Sequence, residues 1–318
     1  MSKGPVVVEV TRGPVVESRH EGIAAVVKAD GTLVDSWGDI DAAILPRSAN
    51  KPIQAMAFVE SGAVERFGLG NEHIALACAS HSGSDTHVER VAALLDRIDA
   101  RVDDLHCGPH VPLGPVEART LAARGAASTP TRLHNNCSGK HAGMLAACRA
   151  RGWPFQDYNR LHHPLQQEIL ANLSLVSGIA PSQIGTAVDG CGAVVFRTPL
   201  IGLCRSFRRL VMHELPAPHQ AAGERMLRAM RAAPEMVAGE GRLCTNLLRV
   251  TRGRVVGKIG ADGVYVLGSA ADGGSGLALK IEDGNGKTVE LLLCQLAAHL
   301  GIITDEELQA LRVHWELP

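Results

Sequence analysis

The placement of the strand-like segments limits this fold more than any other feature of the chain. Short β-branched runs bounded by glycine occupy residues 6–10, 23–27 and 32–37, and such runs then vanish for some two hundred positions. They return at 255–259, 263–267 and 277–281. Helical periodicity fills the interval, at 53–60, 71–78, 87–98, 140–149, 163–175 and 217–233, and resumes at 288–300 and 306–311. Residues 106–130, rich in Gly, Pro and Ala, read as irregular. This order predicts an α+β fold in which an antiparallel sheet is built from both chain ends and a helical region packs on it. We expect one catalytic domain, 1–318, with an α/β part at about 1–60 and 240–318 and a mainly helical middle at about 61–239.

Composition narrows the function. At 318 residues and 46% hydrophobic content the chain can bury a full core. Its formal net charge of -1 argues against a nucleic-acid partner, which selects a basic surface. No apolar run approaches the roughly 18 residues of a membrane span, and the opening segment lacks the apolar core of a secretory leader. The expected location is therefore the cytoplasm. There the eight cysteines read mostly as buried thiols, Cys148, Cys204 and Cys294 being the plainest cases. Only seven of the 32 basic residues are lysine. Where lysine persists, it can do what arginine cannot, which is to release its proton when desolvated or set beside another cation.

Three of the lysines fall in chemical motifs. In Ser48-Ala49-Asn50-Lys51 the spacing puts both side chains on one helical face, where a neutral amine can take the serine proton. Alone the tetrad is a weak signal, since a capping serine followed by a solvated lysine gives the same text. Ser80 ends an apolar helix and reads either as a loop serine or as a hydroxyl at a cleft floor. Lys258 sits in an apolar strand between Gly257 and Gly260, either as an edge-strand gatekeeper or as a buried functional charge. Cys137 and Cys191 lie in glycine-containing loops rather than apolar helices, and two thiolates suit zinc. Lys140 would join them only as a neutral amine, and His134 and His141 are alternative ligands on the same loop.

Together these segments resemble the Rhizobium-type (class 3) L-asparaginases, the asparaginase II family. The resemblance rests on Arg47-Ser48-Ala49-Asn50-Lys51-Pro52, Cys78-Ala79-Ser80-His81-Ser82, Asn136-Cys137-Ser138-Gly139-Lys140-His141 and Asp189-Gly190-Cys191. It continues through Met236 to Thr245, Gly257 to Asp262, and Lys280 to Asn285. It implies a fold akin to serine β-lactamases and penicillin-binding proteins, hydrolysis of L-asparagine to aspartate and ammonia, and a homodimer. It implies two catalytic tandems, Ser48 with Lys51 and Ser80 with Lys258. It also implies zinc (Zn2+) held by Cys137, Lys140, Cys191 and water. Arg47, Asp189, His141 and Asn136 are the expected substrate contacts. By charge, Arg47 suits the α-carboxylate and Asp189 the α-ammonium, although a structural ion pair is the alternative for each. Three departures stand out: Asn135 before Asn136, a divergent segment after Cys191, and an end soon after Leu311. The rivals are a β-lactamase or D-peptidase, a glutaminase, and a non-catalytic zinc protein. Against the first, the strand Lys258-Ile259-Gly260 lacks the hydroxyl residue of the Lys-Thr-Gly strand motif.

Overall fold

The computed structural model describes residues 4–125 and 128–312, so the outermost residues of the expected domain, 1–3 and 313–318, lie outside it. Nine strands are present among the described residues: β1 (Val6–Arg12), β2 (Val15–Val27), β3 (Leu33–Trp37), β4 (Ala43–Ile44), β5 (Gly185–Val188), β6 (Val194–Pro199), β7 (Val255–Gly260), β8 (Val264–Ser269) and β9 (Ser275–Ile281). The main sheet runs β1-β2-β9-β8-β7, with β3 on β2, and every pairing is antiparallel. The join between the chain's two ends is β2 on β9, from Gly22 opposite Ile281 to Val27 opposite Gly276. The predicted sheet from both ends is thus the one formed.

Alternation along these strands sorts residues onto two faces. Ile23, Ala25, Val27, Val264, Val266 and Ala278 point to one face and pack against the helix Leu200–Val211. Ala24, Val26, Tyr265, Leu267, Leu277 and Leu279 point to the other, where Val289, Leu293 and Cys294 of the helix Gly286–His299 join the larger core. The helix Leu200–Val211 approaches closely because a Cβ at Gly276 would lie 2.6 Å from the Cys204 carbonyl oxygen. That helix, and the small sheet β4-β6-β5, are features the sequence reading did not anticipate. A further helix, Pro115–Ala123, lies inside the segment read as irregular.

The helical region packs beside the sheet, with the helices Lys51–Glu60, Asn71–Ala77, Asp85–Arg97, Ser138–Arg151, Pro164–Ser177 and His219–Ala232 as its main parts. The helix Ser138–Arg151 is buried from Ser138 to Cys148. Among the described residues no helix is long and apolar enough to cross a membrane.

Candidate active site

Three segments distant in sequence place their polar side chains at one buried point. Arg47–Asn50 forms a 3-10 turn that runs directly into the helix Lys51–Glu60, so Lys51 opens that helix. Ser80 follows the helix Asn71–Ala77. Its N–H donates to the Val237 carbonyl at 3.1 Å, and the Ser82 N–H donates to Ala238 at 2.7 Å. Lys258 lies in β7, an edge strand of the sheet, yet it is fully buried. Of the two readings the sequence left open for Lys258, the structure therefore has the buried charge.

The three meet at a hydroxyl. Ser80 Oγ lies 3.1 Å from Lys51 Nζ and 3.2 Å from Lys258 Nζ. Lys51 also donates to the Ala79 carbonyl at 2.5 Å and to the Asn136 carbonyl at 3.3 Å, and Lys258 to the Ile259 carbonyl at 2.9 Å. The expected hydrogen bond between Ser48 and Lys51 is not formed. Three residues of spacing put the pair on one face, but the Lys51 stem reaches past Ser48 to oxygens of the 79–80 and 136 segments. Ser48 itself is half-buried and makes no side-chain hydrogen bond among the described contacts.

Burial works against the Lys258 ammonium here. It pulls Lys258 down to about 8, and the charges of Lys51 and Arg242 push the same way. One hydroxyl held between two amines, one of them poised to lose its proton, can pass protons in either direction. Such a unit can activate a serine without histidine.

A second cluster adjoins the first through the peptide of Asn136 and Cys137. Cys137 precedes the helix Ser138–Arg151, whose first turn carries Lys140, and Cys191 sits in the turn between β5 and β6. Asn159 pins that turn by donating to the Gly192 carbonyl at 2.7 Å. Lys140 Nζ is 3.2 Å from Cys191 Sγ, and the Cys137 thiol donates to Asn136 Oδ1 at 3.3 Å. The neighbouring Cys137 thiol, opposed by burial and helped by the Lys140 charge, lowers Cys191 far toward thiolate. Cys191 and burial raise Cys137 in turn. Burial disfavours the Lys140 ammonium, but the neighbouring sulfurs outweigh it and raise Lys140 above its ordinary value.

Among the described residues no group of three or more His, Cys, Asp or Glu side chains is arranged to hold a metal. The donor set here is instead two thiols and an amine, with the His141 ring beside Cys191. His141 Nε2 is buried and makes no full hydrogen bond.

The expected substrate contacts fare differently. Arg47 and Asp189, expected to take opposite ends of a substrate, bond each other at 2.8 Å, and Asp262 takes a second nitrogen of the same guanidinium. The structural ion pair, the alternative for each residue, is therefore present. Arg47 holds φ +52, an uncommon conformation for a side chain of its size and one found at constrained sites. His141 is fully buried, with Nδ1 2.6 Å from the Tyr158 hydroxyl, and it supports the thiol cluster rather than an open pocket. Asn136 lends its carbonyl to Lys51 and its side-chain oxygen to Cys137. The sequence reading missed Arg242, whose Nη1 donates to the Ser80 carbonyl at 3.1 Å. The flanking glycines Gly239 and Gly241, a turn signal, were the clue.

No functionally curated protein matches the chain significantly. Among solved structures, a putative β-lactamase from Bacteroides dorei aligns at a TM-score of 0.46 and 15% identity, over 86% of this chain and 92% of its own. A Bacillus glutaminase aligns at 0.39 and 12%, over 88% and 91%. At these scores neither likeness bears on activity. The model of the L-asparaginase II family matches residues 8–318, and the chain accordingly belongs to that family of amidohydrolases.

Proposed function

We propose that the protein is an L-asparaginase that acylates Ser48 and moves protons through Lys51, Ser80 and Lys258. The observation that carries this reading is the Ser80 hydroxyl held by two buried lysine amines. When Lys258 is neutral, Ser80 gives it a proton and takes one from Lys51, which leaves Lys51 free to accept the Ser48 proton. Ser48 Oγ then bonds to the amide carbon. The carbon–nitrogen bond breaks as Ser80 passes a proton to the departing ammonia, and water cleaves the β-aspartyl ester. This path requires Lys51 to exchange one of its carbonyl bonds for Ser48 once substrate is bound, a tightening common in hydrolytic sites. The half-buried Ser48 offers the more open oxygen, whereas Ser80 is only 5% exposed.

The hydrogen bonds as they stand favour a second assignment, with Ser80 as the acylated residue. Trapping the ester with a slow substrate and mapping it by mass spectrometry separates the two, since the label lies on residue 48 or on residue 80.

Cys137, Cys191 and Lys140 have the chemistry to hold zinc, because two sulfurs and an amine converge in a buried pocket beside an orphaned imidazole nitrogen. Bound there, zinc would supply fixed positive charge next to the proton-passing unit. Lys140 would have to give up its proton to bind. The primary test is ammonia release from asparagine and from glutamine, with and without added zinc. Asparagine is expected to be the better substrate. Release from neither amide would end this reading, and preference for glutamine would shift it by one methylene.

A further inference from the structure

We infer that Arg242 is the residue that receives the α-carboxylate of the amide substrate, in the place the sequence reading gave to Arg47. The inference rests on the asparaginase reading above. An amino-acid amide brings a carboxylate that needs a cation near the reacting serine, since an unpaired charge is costly in a buried site. The Arg47 guanidinium is already paired, through Nε with Asp189 and through Nη1 with Asp262. Lys51 and Lys258 are committed to Ser80.

Arg242 differs from all three. Its one side-chain hydrogen bond among the described contacts runs from Nη1 to the Ser80 carbonyl, and it makes no ion pair among the described residues. The acids nearest in sequence are taken: Arg249 binds Glu240 at 2.6 and 2.7 Å and reaches Glu235 at 3.6 Å. The remaining guanidinium nitrogens are therefore uncommitted, on a planar fork suited to a carboxylate.

The loop that carries Arg242 is built to hold it there. Val237 and Ala238 accept backbone hydrogen bonds from Ser80 and Ser82, like two short strands laid side by side. Gly239, at φ +123, lets the loop lie this close, for a Cβ at that position would collide with the Ser82 hydroxyl. Arg242 then stands at the N-cap position of the helix Leu243–Val250, its side chain making no capping bond. Its charge is also among those felt by Lys258 and by His81. In asparagine only two carbons separate the carboxylate from the side-chain amide, so a cation fixed to the Ser80 backbone is within reach of a substrate whose amide lies at the serines.

The test compares asparagine with β-alaninamide, the same molecule without its α-carboxylate, in the wild type, Arg242→Met and Arg242→Lys. We expect the preference for asparagine, as a ratio of kcat/KM, to fall about 100-fold in Arg242→Met and by less in Arg242→Lys, mostly through KM. If Arg242 merely props Ser80, both substrates slow together, the ratio holds, and the proposal is overturned. Arg47→Met is expected to leave the ratio in place; a collapse there would return the role to Arg47 and also overturn the proposal. Calorimetric titration with L-aspartate needs no turnover and separates the two readings. A wild type inert toward asparagine sinks the asparaginase reading, whereas Arg242 is wrong if Arg242→Met binds aspartate as the wild type does, or if neither binds it.

Discussion

Lys258 and Lys140 are both buried amines, a short way apart in one site, and they respond to burial in opposite directions. Lys258 faces a hydroxyl and another lysine, and its proton is loosened to about 8. Lys140 faces two sulfurs, one of them drawn toward thiolate, and its proton is held more tightly than usual. Desolvation acts on both, so neighbours decide the sign. One cluster is a store of like charge that favours proton release, and the other is a compensated ion pair that favours retention.

The sharpest way to break this contrast is Lys258→Arg. The charge remains, but a guanidinium cannot give up its proton. Ammonia release is expected to fall about 1,000-fold, within the range that proton-transfer groups contribute. A rate within tenfold of wild type would mean that Lys258 only fills space.

The next effect is on stability and has opposite signs in the two clusters. Cys191→Ala leaves the Lys140 ammonium buried without its counter-ion, at an expected loss of about 3–5 kcal/mol in denaturant unfolding. Adding Lys140→Met should recover most of it. Lys258→Met removes a buried charge that already has a cation beside it, and unfolding should be unchanged or harder. If Cys191→Ala and Lys258→Met destabilise equally, the two lysines are not in different electrostatic situations.

The smallest effect is the pH profile. In the proposed mechanism the neutral form of Lys258 accepts a proton, and its fraction rises up to and through pH 8. Hence kcat/KM should drop up to tenfold for each unit of acidification below about 8 and level off above it. A profile flat between about pH 6 and 8 would place the working proton elsewhere.

The sheet was legible because strands β7 to β9 are short apolar runs set among glycines, β7 and β8 being rich in valine. The helix Leu200–Val211 was passed over although Leu200, Leu203, Cys204, Phe207, Leu210 and Val211 recur at helical spacing, with Gly202 and Ser206 as weak helix formers among them. The helix Pro115–Ala123 was hidden for a related reason: the Gly, Pro and Ala around it read as loop, although Pro115 sits where a first turn accepts it. In the site, Ser48 and Lys51 were visible from spacing, but spacing cannot say which hydroxyl a flexible lysine selects. The bond from Lys258 to Ser80 joins positions 178 apart, and only likeness to a family suggested it. The ion pair of Arg47 with Asp189 was weighed as an alternative for each residue separately. The glycines announce the turn at Cys191, but no local pattern announces that it lies beside residue 47, where the two choose each other.

The pairing of β2 with β9 also has a consequence during synthesis. A ribosome that has released everything up to residue 254 has made Ser48, Lys51, Ser80 and both thiols, yet β2 has only β1 and β3 beside it and still lacks β9, and Ser80 lacks Lys258. Such a nascent chain should be inert and should expose the apolar edge of an unfinished sheet. On the proposed mechanism, hydrolysis would switch on only after β7, β8 and β9 emerge and dock, which would tie the onset of chemistry to completion of the fold.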